Sequence, residues 1–317
     1  MSSGATGTAR EAVVVRAPAK MNVHLGVGPL RADGFHGLAT VYFAVSLHDT
    51  VTARPGEGLS LRLSGEGTGT ASGPGQVPSD RTNLVWRAAE LLAESAGVRP
   101  DADLEVAKNI PVAGGLAGGS ADAAATLVAL DVLWGTRAGR EDLLRLAAQL
   151  GSDVPFGLVG GVALGTGRGE HVSPVLAAGR WHWVLGMAGE GLSTPAVYGE
   201  LDRLRAEGRV PDVTGPTPPD PVLAALRAGT AAELAAALSN DMQPAALNLR
   251  PDLRRALRAA EDAGALAALV SGSGPTVAAL APDEQGAVRL AAELAGAGVF
   301  RTVRAVTGPV PGAHVVP

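Results

Sequence analysis

PVAGGLAGGSADAA, Pro111 to Ala124, places two pairs of glycines and a serine directly before an alanine-rich stretch. Inside a helix Gly114, Gly115, Gly118 and Gly119 would each cost about 1 kcal/mol relative to alanine, so they read as a loop. From Ser120 the chain turns helical: ADAAATLVALDVLW carries Leu127, Leu130, Leu133 and Trp134 at helical spacing. A glycine loop feeding a helix N-terminus lets backbone approach a bound group closely, and the unpaired N–H groups of the first turn favour an anion. A plain strand-to-helix turn has the same composition, so this stretch alone leaves both readings open.

The rest of the chain narrows the class. Its 317 residues suit one large domain or two packed domains sharing a cleft. Hydrophobic residues make up 46% but aromatics only 3%, so the core must be mostly Leu, Val and Ala. A net charge of −5 with no basic run argues against a nucleic-acid partner. The absence of cysteine excludes disulfides, thiolate metal sites and thiol catalysis. No apolar run approaches the ~20 residues needed to span a bilayer, and MSSGATGTAREAVVV lacks the layout of a signal peptide. A soluble cytoplasmic protein without a membrane partner is expected. Of 26 basic side chains only Lys20 and Lys108 are lysines. A lysine kept against such a bias marks a place that needs a compact ammonium on a flexible stem, although chance retention gives the same count.

Strand and helix signals alternate throughout, which predicts an α+β or α/β protein. EAVVVRAPAKMNVHLGVG reads as one or two strands broken near Ala17–Pro18, and TVYFAVSLHDTVTAR and LSLRLSGEG as strands. Residues 65–80 read as an exposed loop. RTNLVWRAAELLAESAG is an amphipathic helix with Thr82 or Asn83 as N-cap and Gly97 at its end. LEVAKNIPVAG is a strand entering the glycine loop. After a further helix, GSDVPFGLVGGVALGTGRGEHVSPV leads into a glycine-rich strand pair, and a compositional seam lies at about 165–180. WHWVLGMA is a strand, residues 208–221 a proline-rich link, ALVSGSGPTVAALAP a strand–turn–strand, GAVRLAAELAGAG a last helix and FRTVRAVTG a last strand.

Walker, protein-kinase, HExxH and GxSxG signatures are all absent. PVAGGLAGGSA instead resembles the phosphate loop of the galactokinase–homoserine kinase–mevalonate kinase–phosphomevalonate kinase (GHMP) superfamily. That superfamily's other two signatures are matched in order by APAKMNVHLGV near the N-terminus and SGSGPTVAAL at Ser271–Leu280. Within it, AKMNVHL, RADGFHGLATVY and QLGSDVPFGLVGGVALGTGRGE resemble the 4-diphosphocytidyl-2-C-methyl-D-erythritol kinases, which act in the non-mevalonate route to isoprenoid precursors. The resemblance implies an α+β fold of two domains, 1–170 with the phosphate loop and 171–317 completing the substrate pocket. The active site is expected in the interdomain cleft, in a monomer or weak homodimer.

Residue by residue, the resemblance implies that Asp153 accepts the proton of the attacking hydroxyl and that Lys20 orients it and stabilises phosphoryl charge. From spacing alone, GSDVPF reads first as a helix N-cap at Asp153. ATP is expected against Pro111, Val112, Ala113, Gly114, Gly115, Leu116, Ala117, Gly118, Gly119, Ser120 and Ala121, with Asn83 and Lys108 on the adenosine side. Mg2+ is expected, its ligands unassigned apart from a possible Ser120 contact. Ala117 and Ala121 stand where relatives carry glycine and serine. A cytosine needs flat partners for its faces and a polar group at its edge. The resemblance places Phe35 and Tyr198 on the faces, His36 at the edge, and Asn22, Thr194 and Pro195 beside the rest of the substrate. Core packing is the competing reading of Phe35 and Tyr198. The implied substrate is 4-diphosphocytidyl-2-C-methyl-D-erythritol, phosphorylated on its 2-hydroxyl. The alternatives are the same fold acting on homoserine or a mevalonate-like alcohol, and a ligand sensor that has kept the fold without the catalysis.

Overall fold

A computed structural model describes residues 11–68, 77–189 and 191–317. The first part of the chain contains β1 (Val13–Leu30), β2 (His36–Arg54), β3 (Leu59–Gly65), α1 (Leu84–Ala96), β4 (Ala102–Lys108), α2 (Gly118–Trp134), α3 (Arg140–Leu150) and α4 (Val154–Val159). The hairpin β5 (Val162–Gly167) and β6 (His171–Pro174) follows, then β7 (Trp181–Met187) and α5 (Thr194–Ala206). Next come α6 (Asp220–Ala228), α7 (Ala231–Ala237), β8 (Ser239–Asn240), α8 (Gln243–Leu249) and α9 (Leu253–Asp262). The chain closes with β9 (Ala267–Val270), β10 (Thr276–Ala281), α10 (Glu284–Gly296), β11 (Thr302–Gly308) and β12 (His314–Val315). Residues 69–76 of the loop expected over 65–80 lie outside the described residues.

Two sheets organise these elements. The larger runs β12-β1-β2-β4-β3, with β5 on β2, β6 on β5 and β8 on β1. The smaller runs β11-β7-β10-β9, all antiparallel. The expected break near Pro18 does not occur: β1 runs on through it, and the proline is accommodated at a register shift between Pro18 and Ala19. The chain passes from the larger sheet to the smaller between Pro174 and Trp181, inside the compositional seam. Later segments return, however, since β8 pairs in parallel with β1 and β12 pairs with it antiparallel.

Helix α2 is buried on most of its faces, from Ala121 through Leu133, as an alanine-rich helix without a polar stripe must be. It starts two residues earlier than its sequence suggests. Gly118 and Gly119 form its first turn, where a Cβ at position 118 would stand 3.1 Å from Ile110 Cγ2. Helix α1 matches expectation: Asn83 caps it through Oδ1, which accepts from Val85 N, and Gly97 ends it at φ 65°. Helices α9 and α10 cover the smaller sheet through Ala260, Leu290 and Leu294. None of the described helices is long and apolar enough to cross a membrane.

Candidate active site

The segment Pro111–Ala117 forms the loop between β4 and α2, and three of its residues have left-handed backbone: Ala113 at φ 55°, Gly115 at φ 77° and Ala117 at φ 55°. For an alanine this geometry costs about 1–2 kcal/mol, so neighbouring contacts must hold the loop in place. Three such contacts are visible. Lys20 N donates to Leu116 O at 3.2 Å. A Cβ at Gly115 would stand 2.6 Å from Ser271 O, and one at Gly191 only 2.7 Å from Ala113 Cβ. The loop is therefore wedged between β1, the SGSG turn joining β9 to β10, and the approach to α5. No side chain caps α2, so the N–H groups of its first turn remain available at the mouth of the loop.

This loop forms one end of a cavity of about 950 Å³. All but two of the twenty-one residues singled out from the sequence line it. The exceptions are Leu116 and Ala121, which do not line it because their side chains face the core, Leu116 with no exposed surface. Asn83 and Lys108 line it, but their polar groups have structural partners. Asn83 Oδ1 caps α1 and its Nδ2 donates to Pro78 O at 2.5 Å. Lys108 Nζ donates to Asp49 Oδ2 at 2.7 Å and also to Asp122 Oδ2. Burial alone would lower the Lys108 ammonium, but Asp122 and Asp49 more than offset it and hold the ammonium above its ordinary value. Burial pushes the Asp122 carboxyl well up, against the pull of Lys108.

Lys20 and Asp153 both line the cavity and meet there. Lys20 Nζ lies 3.5 Å from Asp153 Oδ2 and donates to Asn22 Oδ1 at 2.8 Å. Asn22 Nδ2 donates in turn to Thr40 Oγ1 at 2.7 Å. Lys20 and Asn22 are two residues apart on β1, so strand alternation puts both on one face. Asp153 occupies the N-cap position of α4 yet makes no capping hydrogen bond. Its carboxylate is one-third exposed to the cavity and is not used to start the helix.

The other end is built by side chains. His36, at the start of β2, stacks on Tyr198 of α5 with ring centroids 4.9 Å apart and planes 15° from parallel. Its Nε2 lies 2.9 Å from Asp202 Oδ1, one turn beyond Tyr198. Burial holds the Tyr198 phenol up at about 12, so it stays neutral. Phe35 is 49% exposed, which excludes core packing, and the Arg168 guanidinium sits 4.8 Å above its ring. Thr194 Oγ1 lies 2.9 Å from Ser273 Oγ, joining the start of α5 to the SGSG turn. Sequence reasoning missed Tyr42, Arg168 and Asp202. Only Asp202 carried a local signal, its four-residue spacing from Tyr198.

Among the described residues no cluster of three or more His, Asp or Glu could cage a metal. Mg2+ commonly takes one or two protein oxygens and fills its shell with phosphate and water. The Ser120 hydroxyl, which lines the cavity at the start of α2, suits a cation bound in that way.

Comparison with known proteins agrees with this geometry. The models of the GHMP kinases N terminal domain and GHMP kinases C terminal match residues 83–161 and 222–299. The 4-diphosphocytidyl-2-C-methyl-D-erythritol kinase of Mycolicibacterium smegmatis is 58% identical over 309 residues, covering 96% of this chain and 92% of that one. The protein of the same name from Rhodococcus jostii is 57% identical over 304 residues. A crystal structure of 4-(cytidine 5'-diphospho)-2C-methyl-D-erythritol kinase superposes with a TM-score of 0.73 at 33% identity, covering 94% of this chain and 98% of that one. The homoserine kinase of Cytophaga hutchinsonii reaches the same TM-score at 19% identity and shares the fold alone. The chain belongs to the GHMP kinases and, within them, to the 4-diphosphocytidyl-2-C-methyl-D-erythritol kinase family.

Proposed function

We propose that this enzyme transfers the γ-phosphoryl group of ATP to the 2-hydroxyl of 4-diphosphocytidyl-2-C-methyl-D-erythritol, in the non-mevalonate route to isoprenoid precursors. The observation that carries the reading is the position of the Lys20–Asp153 pair. It stands between a phosphate loop and an aromatic pocket that share one cavity. Homoserine and mevalonate carry no base to stack, so the alternative leaves Phe35, His36 and Tyr198 without a partner.

In this reading ATP lies with its phosphates against the loop from Pro111 to Ser120, held by backbone N–H groups and the α2 N-terminus. The cytosine enters between Phe35 and Tyr198, with His36 at its edge. Asn22, Thr194 and Pro195 border the erythritol. The substrate oxygen attacks the γ-phosphorus as the bond to the ADP oxygen breaks, and Asp153 takes the hydroxyl proton. Lys20 supplies positive charge beside the transferred group, where positioning and electrostatics do most of the work. Bound Mg2+ would neutralise phosphate charge, and the Ser120 hydroxyl would help to hold it. One chain supplies both ends of the cavity, which fits a cytoplasmic monomer or weak homodimer of two lobes divided near residue 170.

The test is ADP release from Mg-ATP with and without the cytidylyl substrate, for the native chain and Asp153→Asn. Substrate-dependent release falling about 10²- to 10⁴-fold in the variant is expected. Release stimulated by homoserine or mevalonate instead would overturn the assignment of the acceptor.

A further inference from the structure

The hairpin GTGRGE between β5 and β6 is rich in glycine for a reason that phosphate binding does not supply. A Cβ at Gly165 would stand 2.5 Å from Tyr42 Cε2, and one at Gly169 only 2.3 Å from the Tyr42 hydroxyl. The two glycines make room for this one ring and its oxygen. Tyr42 lies on β2, 2% exposed, packed against Phe156 at 5.0 Å between centroids. A phenylalanine would serve that packing equally well, so the hydroxyl calls for a separate explanation.

The hydroxyl oxygen is 3.0 Å from Asp153 Oδ1 and 3.4 Å from Gly169 O. A phenol has one proton to give, and a carboxylate at the shorter distance is the stronger acceptor. Asp153 itself makes no capping bond to α4, so its own helix does not fix the orientation of its carboxylate. In the β1–β2 register Tyr42 is paired with Asn22, the residue that receives the Lys20 ammonium. Adjacent strand positions thus hold the two members of the pair, Asn22 the ammonium and Tyr42 the carboxylate.

We propose that Tyr42 is a positioning residue for phosphoryl transfer: its O–H, donated to Asp153 Oδ1, aims Oδ2 at the substrate hydroxyl whose proton it receives. The inference rests on the reading of Asp153 as the base. Lys20 on β1 faces the same carboxylate, at 3.5 Å from Oδ2. Tyr198 of α5 and Glu170 of the hairpin are the other ionisable groups near the phenol. Burial, and then the charge of Asp153, push the phenol well above its ordinary value, so it remains a donor across the neutral range.

The experiment measures kcat, KM and the pH dependence of kcat for Tyr42→Phe beside Asp153→Asn, with thermal unfolding of each. A hydrogen bond to a charged group is worth about 1.5–3 kcal/mol, so kcat should fall about tenfold to a hundredfold in Tyr42→Phe. Both KM values should hold. Loss of a bond to the ionised form favours the protonated one, so the acid limb of the profile should move up by about one pH unit. A packing defect would lower the unfolding temperature and leave that limb in place. Should Tyr42→Phe fail to fold, 3-fluorotyrosine at position 42 gives the readout: a more acidic phenol donates more strongly, and the limb should move down. Native kcat and an unmoved limb beside an inactive Asp153→Asn overturn this inference alone. Turnover retained by Asp153→Asn overturns the reading of the base and this inference with it.

Discussion

Lys20 meets a single carboxylate, Asp153 Oδ2, at 3.5 Å, and makes its shorter contact, 2.8 Å, with the neutral amide oxygen of Asn22. Lys108 lies on the same cavity and is held by two carboxylates, both buried, with Asp49 Oδ2 at 2.7 Å. Asp49 Oδ1 also accepts from the backbone of Asn109 and Ile110, which ties β2 to the entry of the phosphate loop. An ammonium so fully paired has little left to offer a phosphate. One held by a neutral amide and a partly exposed carboxylate keeps charge available for a ligand. The difference separates a lysine that fixes a loop from one that can act on what the loop binds.

The largest effect that could break this comparison lies at Lys108. Lys108→Met leaves the buried Asp49 carboxylate and the Asp122 carboxyl without their cationic partner and should cost about 3–5 kcal/mol of stability, read by denaturant unfolding. A variant as stable as the native chain would mean that the cluster is not structural. Lys20→Arg should do the reverse. A planar guanidinium cannot take the place of the ammonium between Asn22 and Asp153, so turnover should fall about 10²- to 10³-fold while the unfolding midpoint stays put. Near-native turnover would remove Lys20 from the reaction.

The smallest effect sharpens the picture at Asp122. Its carboxyl is buried and Oδ1 has no hydrogen-bond partner. Burial raises its folded-state value well above the ordinary carboxylate range, so the unfolded chain loses this proton at lower pH than the folded one. Between those two values the unfolded state binds fewer protons, and stability must fall as pH rises. An amide has no proton to lose. Asp122→Asn should therefore gain stability relative to the native chain as pH rises above the ordinary carboxylate range, seen as a widening difference in Tm. A difference that stays flat would mean that Asp122 is already ionised in the fold.

Much of the site is legible locally. The glycine pairs, the two lysines and the order of the three signatures follow from residue types at fixed spacings, and cap residues such as Asn83 and Gly97 are set by their own helix. The faces of β1 are legible too, because side chains alternate along a strand. The same periodicity says nothing about partners. It could not show that Leu116 and Ala121 turn inward while their neighbours line the cavity.

What the amino-acid sequence determined by itself is the glycine-rich loop before α2, the residue types at the aromatic end of the cavity and the presence of the lysine and aspartate proposed above for phosphoryl transfer. Only the tertiary structure decided which lysine is held the more loosely, and that Tyr42, 111 residues from Asp153, gives that carboxylate its hydrogen bond. The physical reason is that a residue's spacing reports the face it occupies, whereas the charge and geometry of a pair depend on whatever distant segment packs against that face.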